Sequence, residues 1–177
     1  MAGIIVRVAR DEIIYRGLVE SYRANERMNQ IVLRHLDPGA WRAKLPGIKG
    51  RTIADIFSHV HNIRRKWLRL SAPHMKQPLT LDRSRCTQEQ AGVALEESAA
   101  RCCEMIAEAL KEPESAKFHR DGWAKPWPAE GSMVASMVGY MIAHDAHHRG
   151  QVCMLAHQLG FPLPDKCTSA MWAWERF

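Results

Sequence analysis

The stretch HDAHHRGQ, residues 144–151, places three of the chain's nine histidines within five positions. Imidazole is both a common metal ligand and an acid/base group near neutral pH. Two histidines at i, i+4 share a helical face and can point at one ion. Spacing alone is a weak signal, because nine histidines in 177 residues supply about half of one such pair by chance. HDAHH also imitates the HExxH zincin pattern, with Asp in place of Glu. At 100° per residue, with His144 at zero, His148 falls at about +40° and Gln151 at about −20°, one narrow stripe. His147 lies on its shoulder at about −60°. Asp145 and Arg149 fall at about +100° and +140°, which predicts an outward ion pair and removes Asp145 from a zincin-like role.

Two histidines seldom complete a site, so the other histidine pair matters. SHVHNIRRKWL contains His59 and His61. Ile56, Val60, Ile63, Trp67 and Leu70 lie between about +20° and +100° of His59, so His59 borders the buried stripe and His61 is expected to face solvent. His59, His144 and His148 would then give three inward imidazoles from two helices, with open positions for water or substrate. That is the layout of a reactive metal site. Buried histidines without a metal need other partners for their ring nitrogens, and the geometry leaves both readings open. Gln151 and His147 are candidates for orienting ligands or substrate, with Asp55, Asn62, Tyr22 and Asn25 as further candidates.

The elements that must position these residues are marked by the prolines, which break helix interiors. Nine prolines leave four long proline-free runs, 1–37, 47–72, 79–112 and 129–161. In the first, Ile14, Leu18, Tyr22, Met28, Ile31, Val32 and Leu36 recur at helical spacing. The second opens at Thr52, a plausible N-cap, with Ile53, Ile56, Phe57, Val60, Ile63 and Trp67 on one side. The third opens at Thr87 with Gln90 three residues on, a capping-box pattern. The fourth begins near Gly131-Ser132 and closes at Gly160, a natural helix stop. No period-two alternation is present. The expectation is one all-α domain over 1–177, an up-and-down four-helix bundle with helices of roughly 20 to 28 residues. The 112–131 connection is expected to cover one bundle end, and MWAWERF to pack on the bundle or a partner.

Composition excludes several classes. Five cysteines are odd in number and lack CxxC spacing, against a disulfide framework or thiolate zinc site. No run approaches the ~20 apolar residues of a membrane span. The first residues lack a signal-peptide pattern, so a cytoplasmic address is expected. The net charge is +6, and RRKWLR adds a basic run in which Arg64, Arg65, Lys66 and Arg69 are candidate nucleic-acid contacts. No recognition motif accompanies them. A solvated basic face, or attraction for small anions, is the expected reading.

TIADIFSHVHNIRRKWL resembles the second helix of the DinB-like superfamily, and MIAHDAHHRGQVCMLAHQLG resembles its fourth, with the pattern H-x-x-x-H-R-G-Q followed by an apolar stretch and Gly. The loop KLPGIKGRT resembles the family's approach to the second helix. The first helix matches loosely and the third hardly at all. The resemblance implies a four-helix bundle holding a divalent metal, nickel or zinc, through His59, His144 and His148. It further implies a homodimer acting on a small-molecule substrate, with thiol-dependent transferase chemistry that uses a low-molecular-weight thiol. A metal-dependent hydrolase and a non-catalytic metal-binding stress-response protein are the alternatives. The family name reflects damage induction and implies no DNA binding.

Overall fold

The computed structural model describes the backbone of residues 2–47, 49–112, 118 and 133–174, and side chains from residue 12 onward. Its elements are α1 (Ala2–His35), a 3₁₀ turn (Pro38–Ala40), α2 (Ile53–Ser71), α3 (Gln88–Ala109), α4 (Met133–Gln158) and α5 (Asp165–Trp172). Among the described residues there is no strand, and no helix is long and apolar enough to cross a membrane.

The capping signals fix the helix ends. Thr52 accepts from the Asp55 N–H while the Asp55 side chain accepts from the Thr52 N–H, a reciprocal box that starts α2. Thr87 and Gln90 do the same for α3. At the end of α4, Gly160 adopts φ 83°, a left-handed conformation that favours glycine. The Phe161 N–H then reaches Ala156 O and the Gly160 N–H reaches His157 O, which satisfies the last carbonyls in a Schellman motif. The helices span a wider length range than expected: α1 has 34 residues and α2 has 19. The proline-free run before Asp11 is also helical, and the long α1 leaves Ile13 and Ile14 exposed. Ile14 therefore lies outside the core predicted from its spacing. The Gly131-Ser132 start and the 113–117 and 119–132 part of the connection lie outside the described residues.

The helices α1 and α2 each pack on both α3 and α4, and α5 packs on α1. Cys167 anchors α5 in the core, while Trp172 and Trp174 remain exposed. Two apolar clusters fill the bundle. One joins Ile31, Leu36, Ile53, Phe57, Leu95 and Val152; the other joins Tyr22, Trp67, Ile106, Val134, Met137 and Met141. Between them, each long helix contributes buried polar groups: Asn25, Glu26 and Asn29 on α1, His61 and Arg64 on α2, Ser98 on α3, and Asp145 and His148 on α4. A polar belt thus crosses the middle of the bundle, and the histidine cluster sits at its edge.

Candidate metal centre

The α2 register places His59 at the rim of the buried face, half-buried and opposite α4. The i, i+4 spacing on α4 brings His144 and His148 beside it. Ring centroids lie 5.5 Å apart for His59–His144, 4.7 Å for His59–His148 and 4.6 Å for His144–His148. One nitrogen from each ring falls within 4.8 Å of the other two, and this is the group among the described residues that could hold a metal ion. An all-imidazole set suits zinc, copper, iron or nickel better than magnesium or calcium.

Hydrogen bonds set the ring tautomers. His148 Nδ1 donates to Gln151 Oε1 at 2.8 Å. His144 Nδ1 lies 3.2 Å from Asp145 Oδ1 and donates to that carboxylate. Each bond keeps the proton on Nδ1 and leaves the Nε2 lone pair for an ion, the usual outer arrangement of a histidine ligand. Gln151 Nε2 in turn lies 3.0 Å from His147 Nε2, so Gln151 spans the two histidines. Burial, then the charges of neighbouring His144, His147 and Arg51, push the His148 imidazole below its ordinary pKa despite the Gln151 bond. A neutral ring is the form that binds metal. Trp67 packs edge-on against His144, with centroids 5.1 Å apart, and holds that ring from the core side.

Asp145 corrects the sequence expectation. It is 1 % exposed and forms no outward pair with Arg149. Its Oδ2 accepts from Arg64 Nη2 at 2.5 Å and from Asn25 Nδ2 at 2.9 Å. Arg64, itself 0 % exposed, also reaches Glu26 at 2.6 Å and donates to Leu95 O. Burial raises the Asp145 pKa, but the Arg64 charge and the His144 and Arg64 hydrogen bonds outweigh it and hold the carboxyl below its ordinary value. Arg149 instead reaches across to α1, donating to the side-chain oxygens of Asn25 and Asn29 at 2.9 and 2.7 Å. The belt therefore balances two cations, Arg64 and Arg149, against Glu26 and Asp145.

His61 is the second correction. It is fully buried, with Nδ1 2.8 Å from Ala94 O and Nε2 2.8 Å from Leu79 O. The chain between α2 and α3 folds over α2, so a ring turned away from α4 still meets protein. The basic run is likewise divided: Arg64 belongs to the interior and offers nothing to an outside partner.

The remaining candidates separate by position. Asp55 is committed to the α2 cap, and Asn62 exchanges hydrogen bonds with the Leu81 backbone. Tyr22 lies beneath the Arg64 guanidinium, whose Cζ is 5.7 Å from the Tyr22 ring centroid. Asn25 acts behind the cluster, through Asp145.

The geometry is a three-histidine cluster at the edge of a helical bundle. The DinB family model matches residues 14–173, which include all three histidines. The chain belongs to the DinB family. A comparison with curated proteins gives no match. In this DinB-family chain, sequence spacing brought forward His59, His144, His148, Gln151 and His147, and the structure brings all five together. It missed Asp145 and Arg64. The signal for Asp145 was its place among Val134, Val138, Met141, Val152 and Ala156, the apolar arc of α4.

Proposed function

We propose that the chain is a metal-dependent enzyme in which His59, His144 and His148 bind one divalent ion, nickel or zinc, and leave coordination positions open. The observation that carries this reading is the donor set: three imidazoles with no fourth His, Cys, Asp or Glu donor grouped with them among the described residues, beside a cleft of about 580 Å³. A purely structural zinc site closes its shell with a fourth protein ligand, whereas a catalytic one leaves room.

The reaction we propose is thiol-dependent group transfer to a small electrophile. When bound, the ion lowers the pKa of a coordinated thiol or water and polarises an electrophile. The chain's own residues do the rest. Asp145 and Gln151 hold the two α4 rings in the ligand tautomer. Arg64 keeps Asp145 ionised inside the bundle. His147, exposed and bonded to Gln151, stands at the cleft, where it can orient substrate.

The test begins with protein purified without an affinity tag or chelator. Metal content below roughly a tenth of an ion per chain, with no uptake on titration, overturns the metal reading. Metal-loaded protein is then offered an electrophile with and without a low-molecular-weight thiol. Acceleration only with thiol supports transfer, and turnover by water alone makes the protein a hydrolase. Stoichiometric metal without either activity across an electrophile panel, with large loss of stability on chelation, makes it a non-catalytic metal-binding protein.

A further inference from the structure

We propose that the cleft between the start of α2 and the second half of α4 is the substrate site, and that it selects a small molecule with an aliphatic segment ending in a carboxylate. The inference deepens the enzyme reading above and rests on it for the word substrate, although the binding itself does not need the metal.

Three observations carry it. The first is position: His147 and Gln151 line the cleft, and Gln151 is hydrogen-bonded to His148, so a ligand here lies against the metal cluster. The second is the wall. Ile56, Met154 and Leu155 make one side apolar, and Met154 is 62 % exposed. An unbranched, adaptable thioether left in water beside a cleft is suited to cover an aliphatic ligand. Gly150 also lines this wall within α4, where a β-carbon would meet open space. Glycine inside a helix costs about 1 kcal/mol relative to alanine, and here neither crowding nor a positive φ requires it. Its effect is to leave the cleft wide.

The third observation is charge. Arg51 is the one ionised side chain among the described lining residues, and none of these is a carboxylate. Among the described residues it has no hydrogen-bond or ion-pair partner. It immediately precedes Thr52, whose cap on α2 is closed by Asp55, and the Ala54 N–H is tied to Trp41 O. The backbone carrying Arg51 is therefore anchored, while its guanidinium is uncompensated. A planar guanidinium pairs with a carboxylate through two parallel hydrogen bonds. A cleft of about 580 Å³ is in the range for small-molecule ligands.

The experiment uses full-length protein, metal-free and metal-loaded, with hexanoate, hexan-1-ol and hexylamine as probes, followed by amide chemical shifts. Hexanoate is expected to bind the metal-free protein about tenfold more tightly than hexan-1-ol, the value of one charge-assisted hydrogen-bonded contact, and hexylamine more weakly still. Arg51→Gln should abolish the preference, and Lys66→Gln should leave it intact. Gly150→Leu should remove binding of hexanoate and hexan-1-ol alike while preserving the melting temperature and metal uptake, since leucine is the better helix former. Equal affinity for acid and alcohol, an unchanged preference in Arg51→Gln, or unaltered binding in Gly150→Leu overturns the proposal. Hexanoate binding seen only in the metal-loaded form also overturns it, because that is coordination to the ion. If the metal reading fails, hexanoate still binds the metal-free protein; if the cleft reading fails, metal uptake is untouched.

Discussion

His144 and Asp145 are chain neighbours, yet Nδ1 of one lies 3.2 Å from Oδ1 of the other, and Asp145 is bound on its far side by a fully buried Arg64. The carboxylate thus joins the histidine cluster to the polar belt of the bundle. Substituting Asp145 by Asn keeps the shape and removes the charge. Loss of a hydrogen-bonded carboxylate behind a ligand typically costs 10–100-fold in metal affinity. It also leaves Arg64 with Glu26 as its remaining carboxylate, and breaking a buried pair costs about 3–5 kcal/mol. Asp145→Asn is expected to show both losses, measured by competitive metal titration and by urea unfolding of the metal-free protein. An affinity unchanged within twofold would detach Asp145 from the site.

The two histidines of SHVHNIRRKWL differ in kind, and substitution should separate them. Neither ring nitrogen of His61 faces the cluster; each lies 2.8 Å from a backbone carbonyl oxygen, and the neutral ring donates to one of them. His61→Ala removes a buried ring and its one N–H donor to a backbone carbonyl, so stability should fall by about 2–5 kcal/mol with metal uptake retained below the melting point. His148→Ala should do the opposite, abolishing high-affinity uptake with a smaller loss of stability. The two measurements are metal stoichiometry and the urea midpoint. Uptake unchanged in His148→Ala would remove it from the ligand set.

Most of the helix plan was legible because it is written in local chemistry. Thr52, Thr87 and Gly160 announce helix ends that the caps and the Schellman motif then realise. The three-histidine grouping was legible because i, i+4 spacing is nearly rigid within a helix. What failed was rotational phase. The spacing points the histidine stripe of α4 inward, but the buried face runs through Val134, Met141, Asp145, Val152 and Ala156, about 90° further round. On α2, burial wraps more than half the helix because α3 and the 72–87 connection cover the side away from α4. No periodicity in α2 alone reports that cover, so His61 and Arg64 looked exposed. An arginine in a basic run carries no local mark of two distant carboxylates.

The α2 cap should confer a measurable acid sensitivity. Burial raises the Asp55 pKa, but its bonds from the Thr52 backbone N–H and hydroxyl, with the Arg83 and Lys44 charges, bring it below the ordinary value. A carboxyl depressed in the folded state adds stability above its unfolded pKa of about 3.9, and that stability is lost as pH falls through the folded value. Asp55→Asn should therefore flatten the acid limb of the stability profile below about pH 4. Thr52→Ala should lower the unfolding free energy by about 0.5–2 kcal/mol at neutral pH, read from urea titration. An acid limb identical in Asp55→Asn and the unsubstituted protein would refute the link.

At the alkaline end the buried thiols should dominate. Burial pushes Cys102 up to about 12, and burial likewise raises Cys103, Cys153 and Cys167. An acid whose folded pKa is raised is fully stabilising below its unfolded value of about 8.5. Above that pH the unfolded chain loses the proton first, so stability falls as pH rises from about 8.5 toward the folded value of about 12. Burial drives the Tyr22 hydroxyl well upward in the same sense, which steepens the decline above about pH 10. The thiolate is the reactive form, and of the five cysteines Cys153 alone is partly exposed rather than buried. Native protein treated with a chromogenic disulfide at pH 8 should therefore expose at most that one thiol promptly, and all five in denaturant. Cys102→Ala should flatten the stability profile between pH 9 and 11 relative to the unsubstituted protein. Prompt labelling of Cys102 in the native state, or superimposable alkaline limbs, would show that its thiol is not held protonated by burial.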